Sequence, residues 1–326
     1  MFVSIVIATH NRSALLGQTL DALAGQTWPA GQLEIIVADN GSTDGTRSVV
    51  QRAAGRSGAP VRYLFVPQPG KSHAVNAALE IARGDLLAFT DDDVLPEPGW
   101  IAALVRAVQD TQVDFVAGRI QPLWEIEPPA WMSPALHGVL AIPDNGPARL
   151  SISADRPAHA TPNVMPIGAN MAVRAPVLAR LGGLRTDLGK LAGSLRTGED
   201  HELFLRLLHA GCRGVYEPEA LVRHVVPASR LKRGYFRRWL YQNGRDVSRL
   251  ERGYLTSTPF LLGVPRYLWR ALVTDLFATA GAAIRGNAAQ RFASALRVLW
   301  FAGYLREAWF GDRAPGLAAF TPAEGR

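Results

Sequence analysis

Four short apolar runs, each followed by a helix-like pattern, fill the first 108 residues. Phe2–Ala8 precedes Ser13–Ala24, and Leu33–Asp39 precedes Asp44–Ala54. Arg62–Val66 precedes Ser72–Arg83, and Leu86–Thr90 precedes Gly99–Val108. Near-continuous apolar strands separated by helices predict a mainly parallel sheet covered on both faces. In such sheets ligands gather at the carboxyl ends of the strands. The polar motifs fall there: Thr9-His10-Asn11-Arg12, Asp39-Asn40-Gly41-Ser42 and Asp91-Asp92-Asp93.

The fourth run ends in three successive carboxylates, and no base lies between Gly84 and Val94 to offset them. Such a cluster is costly unless a cation neutralises it. Carboxylate oxygens suit a hard divalent ion, Mg²⁺ or Mn²⁺, which keeps positions open for substrate phosphates. A solvated acidic turn ahead of the next helix is the plain alternative.

The 326 residues, 48% hydrophobic and 19% charged, suffice for one large α/β domain plus an appendage. The single Cys212 excludes an internal disulfide and a cysteine-rich zinc site, and fits a reducing compartment. The chain enters its first strand with no basic segment before it, so no secretory signal is expected. The net charge of +7 is concentrated: Arg223 to Arg252 holds nine Lys/Arg against two Asp/Glu. A block of this kind reads as a surface for anions. No nucleic-acid recognition module accompanies it, so nucleic acid is not an expected partner.

Residues 122–163 are irregular and proline-rich, with Trp124 and Trp131 among them. A loop of that length is more often functional than idle. Structure resumes at Ile167–Val173, followed by a helix-like Glu199–Ala210 and strand signals at Gly214–Tyr216 and Leu221–His224. Beyond Arg230, basic and aromatic residues interleave, and eleven aromatics lie between Gly253 and Phe310. Arg270 and Asp275 interrupt the apolar stretch Tyr267–Ile284, and such charges are costly at bilayer depth. Two readings stand for this tail: helices lying on a membrane, or a helical subdomain packed on the core.

Several familiar motifs are absent. Gly70-Lys71-Ser72 resembles the end of a phosphate-binding loop, but Phe65 stands where that loop needs glycine. No glycine-rich dinucleotide fingerprint follows the first strand. His201-Glu202 begins like a zinc-protease helix, but Leu205 stands where the second histidine is needed. No Gly-x-Ser-x-Gly nucleophile elbow is present.

The ordered motifs resemble those of a family 2 glycosyltransferase of the GT-A fold. They are Ser4–Arg12, Glu34–Thr46, Gly70–Ala78, Asp91–Asp93, Gly168–Ala172 and Gly198–Leu203. Each is weak alone, and their order carries the resemblance, which covers residues 2 to 225. It implies a GT-A domain over 1–225, Rossmann-like with a mainly parallel sheet flanked by helices. Residues 226–326 lie beyond the resemblance and are read from their composition as a basic, aromatic, helical C-terminal region that associates with membrane.

The resemblance also implies roles. Thr9, His10 and Asn11 line the nucleotide pocket, and Asp39 accepts from a uracil N3–H. An Asx-type turn is the plain alternative for Asp39. Lys71 approaches the nucleotide, and Asn76 positions its loop. Asp91 touches the ribose and joins Asp93 at the metal, Mg²⁺ or Mn²⁺; the triplet leaves open whether Asp92 takes the metal instead. His224 completes the metal shell. Gly168, Asn170 and Met171 shape the sugar and acceptor pocket. Asp200 is the general base of an inverting transfer, and Glu199 contacts the acceptor or orients the base. Helix N-terminal charge is the plain alternative for both.

The implied donor is a UDP-sugar, and the acceptor is a hydroxyl on a glycan or polyprenyl-phosphate-linked lipid. The implied place is the cytoplasmic face of the cell membrane, against anionic lipid. Two competing functions are a sugar nucleotidyltransferase and a catalytically degenerate membrane-surface protein. The missing glycine-rich loop weighs against the first, and the complete carboxylate set against the second.

Overall fold

The computed structural model describes residues 1–56, 58–143, 145–154, 164–191, 193–251, 254, 258–286 and 288–311. The chain divides into two compact units. The first comprises Met1–Leu123, Ala141–Ala192 and Glu199–Val225; the second comprises Trp124–Leu140, Gly193–Gly198 and Val226–Arg326.

The first unit opens with β1 (Val3–Thr9), α1 (Ser13–Ala24), β2 (Leu33–Asp39) and α2 (Thr46–Ala54). β3 (Val61–Phe65), α3 (Lys71–Ile81), β4 (Leu86–Asp91), β5 (Val94–Pro96) and α4 (Trp100–Thr111) follow. Then come β6 (Phe115–Trp124), β7 (Leu150–Ile152), β8 (Asn170–Arg174), α5 (Ala175–Leu181), α6 (Glu199–His209) and β9 (Gly214–Val226). Among the described residues the sheet runs β3-β2-β1-β4-β8-β6-β9-β5, with β7 on β9. β3, β2, β1 and β4 are mutually parallel, whereas β8 runs antiparallel to β4 and to β6.

Side-chain alternation divides the core between the two faces of this sheet. On one face Val6, Ile36 and Phe89 meet Ala74, Val75 and Ala78 of α3 and Leu203 and Leu207 of α6. Their neighbours Ile5, Ile7, Ile35 and Val37, pointing the other way, are equally buried. Strands apolar on both faces therefore need helices on both faces, as the alternating pattern expects. The mainly parallel α/β architecture is present, and the four strand–helix pairs lie where the apolar runs place them.

Other elements differ from expectation. β6 is a ten-residue strand that the sequence pattern does not predict, and the two short signals after Ala210 are one strand, β9. Within the irregular stretch, Pro134–Leu140 forms 3-10 turns. Residues 155–163 of that stretch lie outside the described residues.

The second unit contains α7 (Arg233–Glu251), the hairpin β10 (Phe260–Leu261) and β11 (Val264–Pro265), α8 (Arg266–Ile284) and α9 (Ala288–Phe310). α7 and α9 cross at glycines: a Cβ on Gly244 would lie 2.0 Å from Trp300 O, and one on Gly303 2.0 Å from Tyr241 O. No side chain fits between these backbones. Trp131 packs edge-on against Phe236 and Phe292, with ring centroids 5.2 and 5.0 Å away. The expected basic surface is partly consumed by this packing. Arg245 and Arg249 pair with the buried Glu307, and Arg233 lies over the rings of Trp131 and Phe292. No helix among the described residues is long and apolar enough to cross a membrane.

Candidate functional site

Parallel register brings the first polar groups together. Thr9 pairs with Asp39 across β1 and β2, and Ala8 pairs with Asp91 across β1 and β4. Three strand ends thus present their terminal side chains along one edge.

The loop after β1 is knitted to the loop after β2. His10 Nδ1 lies 2.8 Å from Asn40 O, and Asn11 Nδ2 lies 3.2 Å from His10 Nε2. Nδ1 therefore carries the proton, and Nε2 accepts. Asn11, in the left-handed region at φ 52°, accepts from Thr43 N–H at 2.8 Å. Asp39 is buried; its Oδ1 accepts from Ser42 N–H, three residues on, at 2.8 Å. Its Oδ2 accepts from Tyr63 O–H at 2.7 Å. Burial, then this bond to a carboxylate, pushes the Tyr63 phenol up to about 12.

The acidic triplet is neutralised by bases from elsewhere in the chain. Lys71 Nζ, at the first position of α3, lies 2.8 Å from Asp91 Oδ1. Arg12 Nη1 donates to Asp92 Oδ1 and Asp93 Oδ2, both at 2.9 Å. Thr9 Oγ1 donates to Asp92 Oδ2 at 2.8 Å, so both Asp92 oxygens are engaged. This corrects the premise that only a bound cation could offset the triplet: the bases are distant in sequence and adjacent in space. Burial pushes Asp91 up, but the charges of Lys71 and Lys190 hold it below the usual carboxylate value. Asp92 goes the other way, to about 6, through burial and then the charge of Asp93, with Arg12 opposing. Burial would lower Lys71, yet Asp91, then Asp200 and Glu199, hold it above the usual lysine value.

Asp93 also faces His224. Their Oδ1 and Nε2 atoms are 3.4 Å apart and both side chains are buried. The pairing of β5 with β9 sets this, since Val94 lies opposite His224. Among the described residues no trio of His, Cys, Asp or Glu sits close enough to hold a metal by itself. A carboxylate and an imidazole still fit Mg²⁺ or Mn²⁺ in a nucleotide site, where phosphates and water supply the other positions.

The carboxylate pair at the start of α6 completes the site. Asp200 Oδ2 accepts from Gly168 N–H at 2.9 Å. Its Oδ1 is buried with no hydrogen-bond partner among the described residues. A Cβ on residue 168 would lie 2.8 Å from that oxygen, so glycine there makes room for it. Lys71, Asp91, Gly168 and Asp200 line one small cavity floored by Ala8 and Met171. Glu199 is buried alongside; burial, then the charge of Asp200, raises its carboxyl to about 7, with Lys71 opposing.

Asn170 is differently employed. Its Oδ1 accepts from Trp100 Nε1 at 2.7 Å, and its Nδ2 donates to Arg119 O and Ala220 O at 2.8 and 2.7 Å. The side chain holds strands together, and both of its donor hydrogens are used within the protein. Asn76 fixes the loop over α3, meeting Leu184 N and O at 2.7 Å each. Arg12, Tyr63 and Lys190 adjoin these carboxylates without figuring in the sequence expectations. Arg12 stands inside the first polar motif, which was its one available signal.

Comparison with known proteins gives this chain relatives. Residues 4–132 match the family model described as Glycosyl transferase family 2. Glycosyltransferase AglE of Haloferax volcanii is 32% identical over 120 residues, covering 37% of this chain and 40% of that protein. Succinoglycan biosynthesis protein ExoM of Rhizobium meliloti is 26% identical over 253 residues, covering 77% of this chain and 75% of that one. The chain thus spans about two fifths of the archaeal relative and three quarters of the rhizobial one. Among solved structures, the mannosyltransferase PcManGT from Pyrobaculum calidifontis, in complex with GDP-Man and Mn²⁺, aligns with a TM-score of 0.66. It is 22% identical, and the alignment covers 95% of this chain and 88% of that one.

Proposed function

Because residues 4–132 belong to glycosyl transferase family 2 and the chain carries the GT-A fold, we propose that it is an inverting transferase. It moves a sugar from a nucleoside diphosphate, UDP in this reading, to a hydroxyl of a glycan or lipid-linked acceptor. The observation that carries this is Asp200: one oxygen is held by Gly168 N–H, and the other is buried with no partner among the described residues. A carboxylate so arranged has one oxygen for position and one for a proton.

In this reading the acceptor hydroxyl gives its proton to Asp200 Oδ1 as its oxygen bonds to the anomeric carbon. The bond from that carbon to the diphosphate breaks, and its electron pair leaves with the nucleotide. Such base catalysis contributes about 10²–10⁴-fold. Lys71 and Arg12, which balance the acidic triplet, set the charge beside the diphosphate in this reading. Asp93 and His224 would hold Mg²⁺ or Mn²⁺, which supplies charge stabilisation to the leaving diphosphate. Asp92, tied at both oxygens, is the weaker metal candidate; Asp91 and Asp93 each give one oxygen to a base, and Asp93 turns its other to His224. Asp39 and Tyr63 bound the base pocket. Glu199, adjacent to the base, orients it or the acceptor. The lipid-linked acceptor and a peripheral place on the cytoplasmic face of the membrane go with this reading, supported by the basic, aromatic content of residues 226–326.

The test is a thermal-shift screen of the purified chain with UDP, GDP, CDP and dTDP, with and without Mn²⁺. A ligand specific to the native state raises apparent stability by mass action. The expected result is a metal-dependent shift with UDP. A shift with GDP alone would overturn the UDP assignment, and no shift with any diphosphate would overturn the transferase reading.

A further inference from the structure

The second unit carries an exposed apolar surface that its own packing does not explain. α8 turns Leu268 and Ala282 inward, while Val273, Phe277 and Ile284 are exposed on the opposite side. Spaced by four and seven residues, these three fall on one helical stripe. Phe277 is 75% exposed and Ile284 87%.

The hairpin before α8 continues this character. Its two-residue turn is Leu262-Gly263, with φ of +53° and +74°. Such turns favour asparagine or aspartate at the first position, because a left-handed backbone is disfavoured for a branched apolar side chain. Here a leucine occupies it, 67% exposed, between an exposed Leu261 and the glycine. The side chain thus stands in an unfavourable conformation and gains little burial in return. Two indoles meanwhile satisfy tip carbonyls: Trp269 Nε1 donates to Leu261 O at 3.0 Å and Trp309 Nε1 to Leu262 O at 2.8 Å. A turn with apolar side chains and satisfied carbonyls can leave water at low cost.

The surrounding charge is of one sign. Between residues 260 and 311, Arg266, Arg270, Arg285, Arg291 and Arg306 are exposed. The acids of that range are Asp275, paired with Arg297, and the buried Glu307, paired with Arg245 and Arg249. No acid among its described residues is exposed. A second copy docked on this face would set arginines against arginines.

We infer that the Leu261–Leu262 tip and the Val273–Phe277–Ile284 stripe form a lipid-inserting surface for an anionic phospholipid bilayer. It lies in the interface with its arginines at the headgroups, as amphipathic anchors do. The inference rests on the membrane-associated reading above and narrows the attachment within residues 226–326 to the hairpin and α8.

The experiment is flotation of the full chain with vesicles of phosphatidylcholine alone, or with about one third phosphatidylglycerol. The wild type is expected to float with the anionic vesicles. Leu262→Asn should reduce binding at least about tenfold while leaving the thermal midpoint unchanged or higher, because asparagine suits the turn. Phe277→Ser with Ile284→Ser should reduce it similarly, with nucleotide binding retained. Binding lost in Lys232→Gln/Arg238→Gln but kept in Leu262→Asn would overturn this surface and leave the membrane reading standing. A wild type that floats with neither vesicle would overturn both. A wild-type dimer made monomeric by Phe277→Ser would overturn lipid in favour of a second copy. The thermal-shift screen with diphosphates judges the transferase reading separately.

Discussion

Glu307 in the second unit and Asp200 in the first place carboxylate oxygens out of water and end differently. Glu307 has Arg245 on one oxygen and Arg249 on the other. Asp200 has a backbone N–H on one oxygen, and its buried Oδ1 has no partner among the described residues. A buried charge that is fully matched serves structure. One left with an unmatched oxygen carries a cost that a ligand or a transferred proton can relieve. Satisfaction, more than burial, separates the two roles.

The largest effect that tests this contrast is on turnover. Asp200→Asn removes the proposed proton acceptor and keeps the shape, so transfer should fall about 10²–10⁴-fold while diphosphate affinity, measured by calorimetry, holds. Full activity in that variant would end the assignment of Asp200 as base. Gly168→Ala keeps the N–H donor but brings a Cβ to 2.8 Å from Oδ1. Displacing a reacting group by about 1 Å can cost about 10²-fold, so kcat should drop by about that much with little change in donor binding. Unchanged kcat would mean that Oδ1 does not take part.

Glu307→Ala should act on folding instead. It strands Arg245 and Arg249, and breaking a buried pair costs about 3–5 kcal/mol. Denaturant melts should show this loss with nucleotide affinity intact; a loss below about 1 kcal/mol would demote the pair to a surface-like bridge.

The smallest effect concerns Glu199, whose folded carboxyl sits at about 7 against an ordinary value of 4.5. A raised value favours the protonated folded state, so this contribution is full below pH 4.5 and is lost as pH rises through 7. Glu199→Gln should therefore raise the thermal midpoint by several degrees at pH 8 and little at pH 4.5, relative to wild type. Equal shifts at both values would show that Glu199 is not held protonated.

The same contrast bears on what a sequence discloses. β1 to β4 are readable because buried parallel strands are short apolar runs with helices between them. β6 escapes because Arg119, Gln121 and Pro122 break its run, and β9 reads as two pieces because Glu217-Pro218-Glu219 interrupts it. The acidic residues of the site are readable from type and strand-end position. Their partners are not. Tyr63 meets Asp39 because register sets Val37 beside it, and Arg12 meets Asp92 across 80 residues. Asn170 shows the same limit: its motif is visible, but the three groups that hold its side chain lie on α4, β6 and β9.

That claim on Asn170 has a further consequence. Its backbone N–H closes on Ile167 O at 2.8 Å, forming the turn that carries Gly168. The donor that aims Asp200 is thereby fastened to the sheet itself. Catalytic geometry should consequently have no melting point of its own. On a heating ramp, residual activity and far-ultraviolet ellipticity should decay along one curve, and an earlier loss of activity would show that the aim depends on something softer than the sheet.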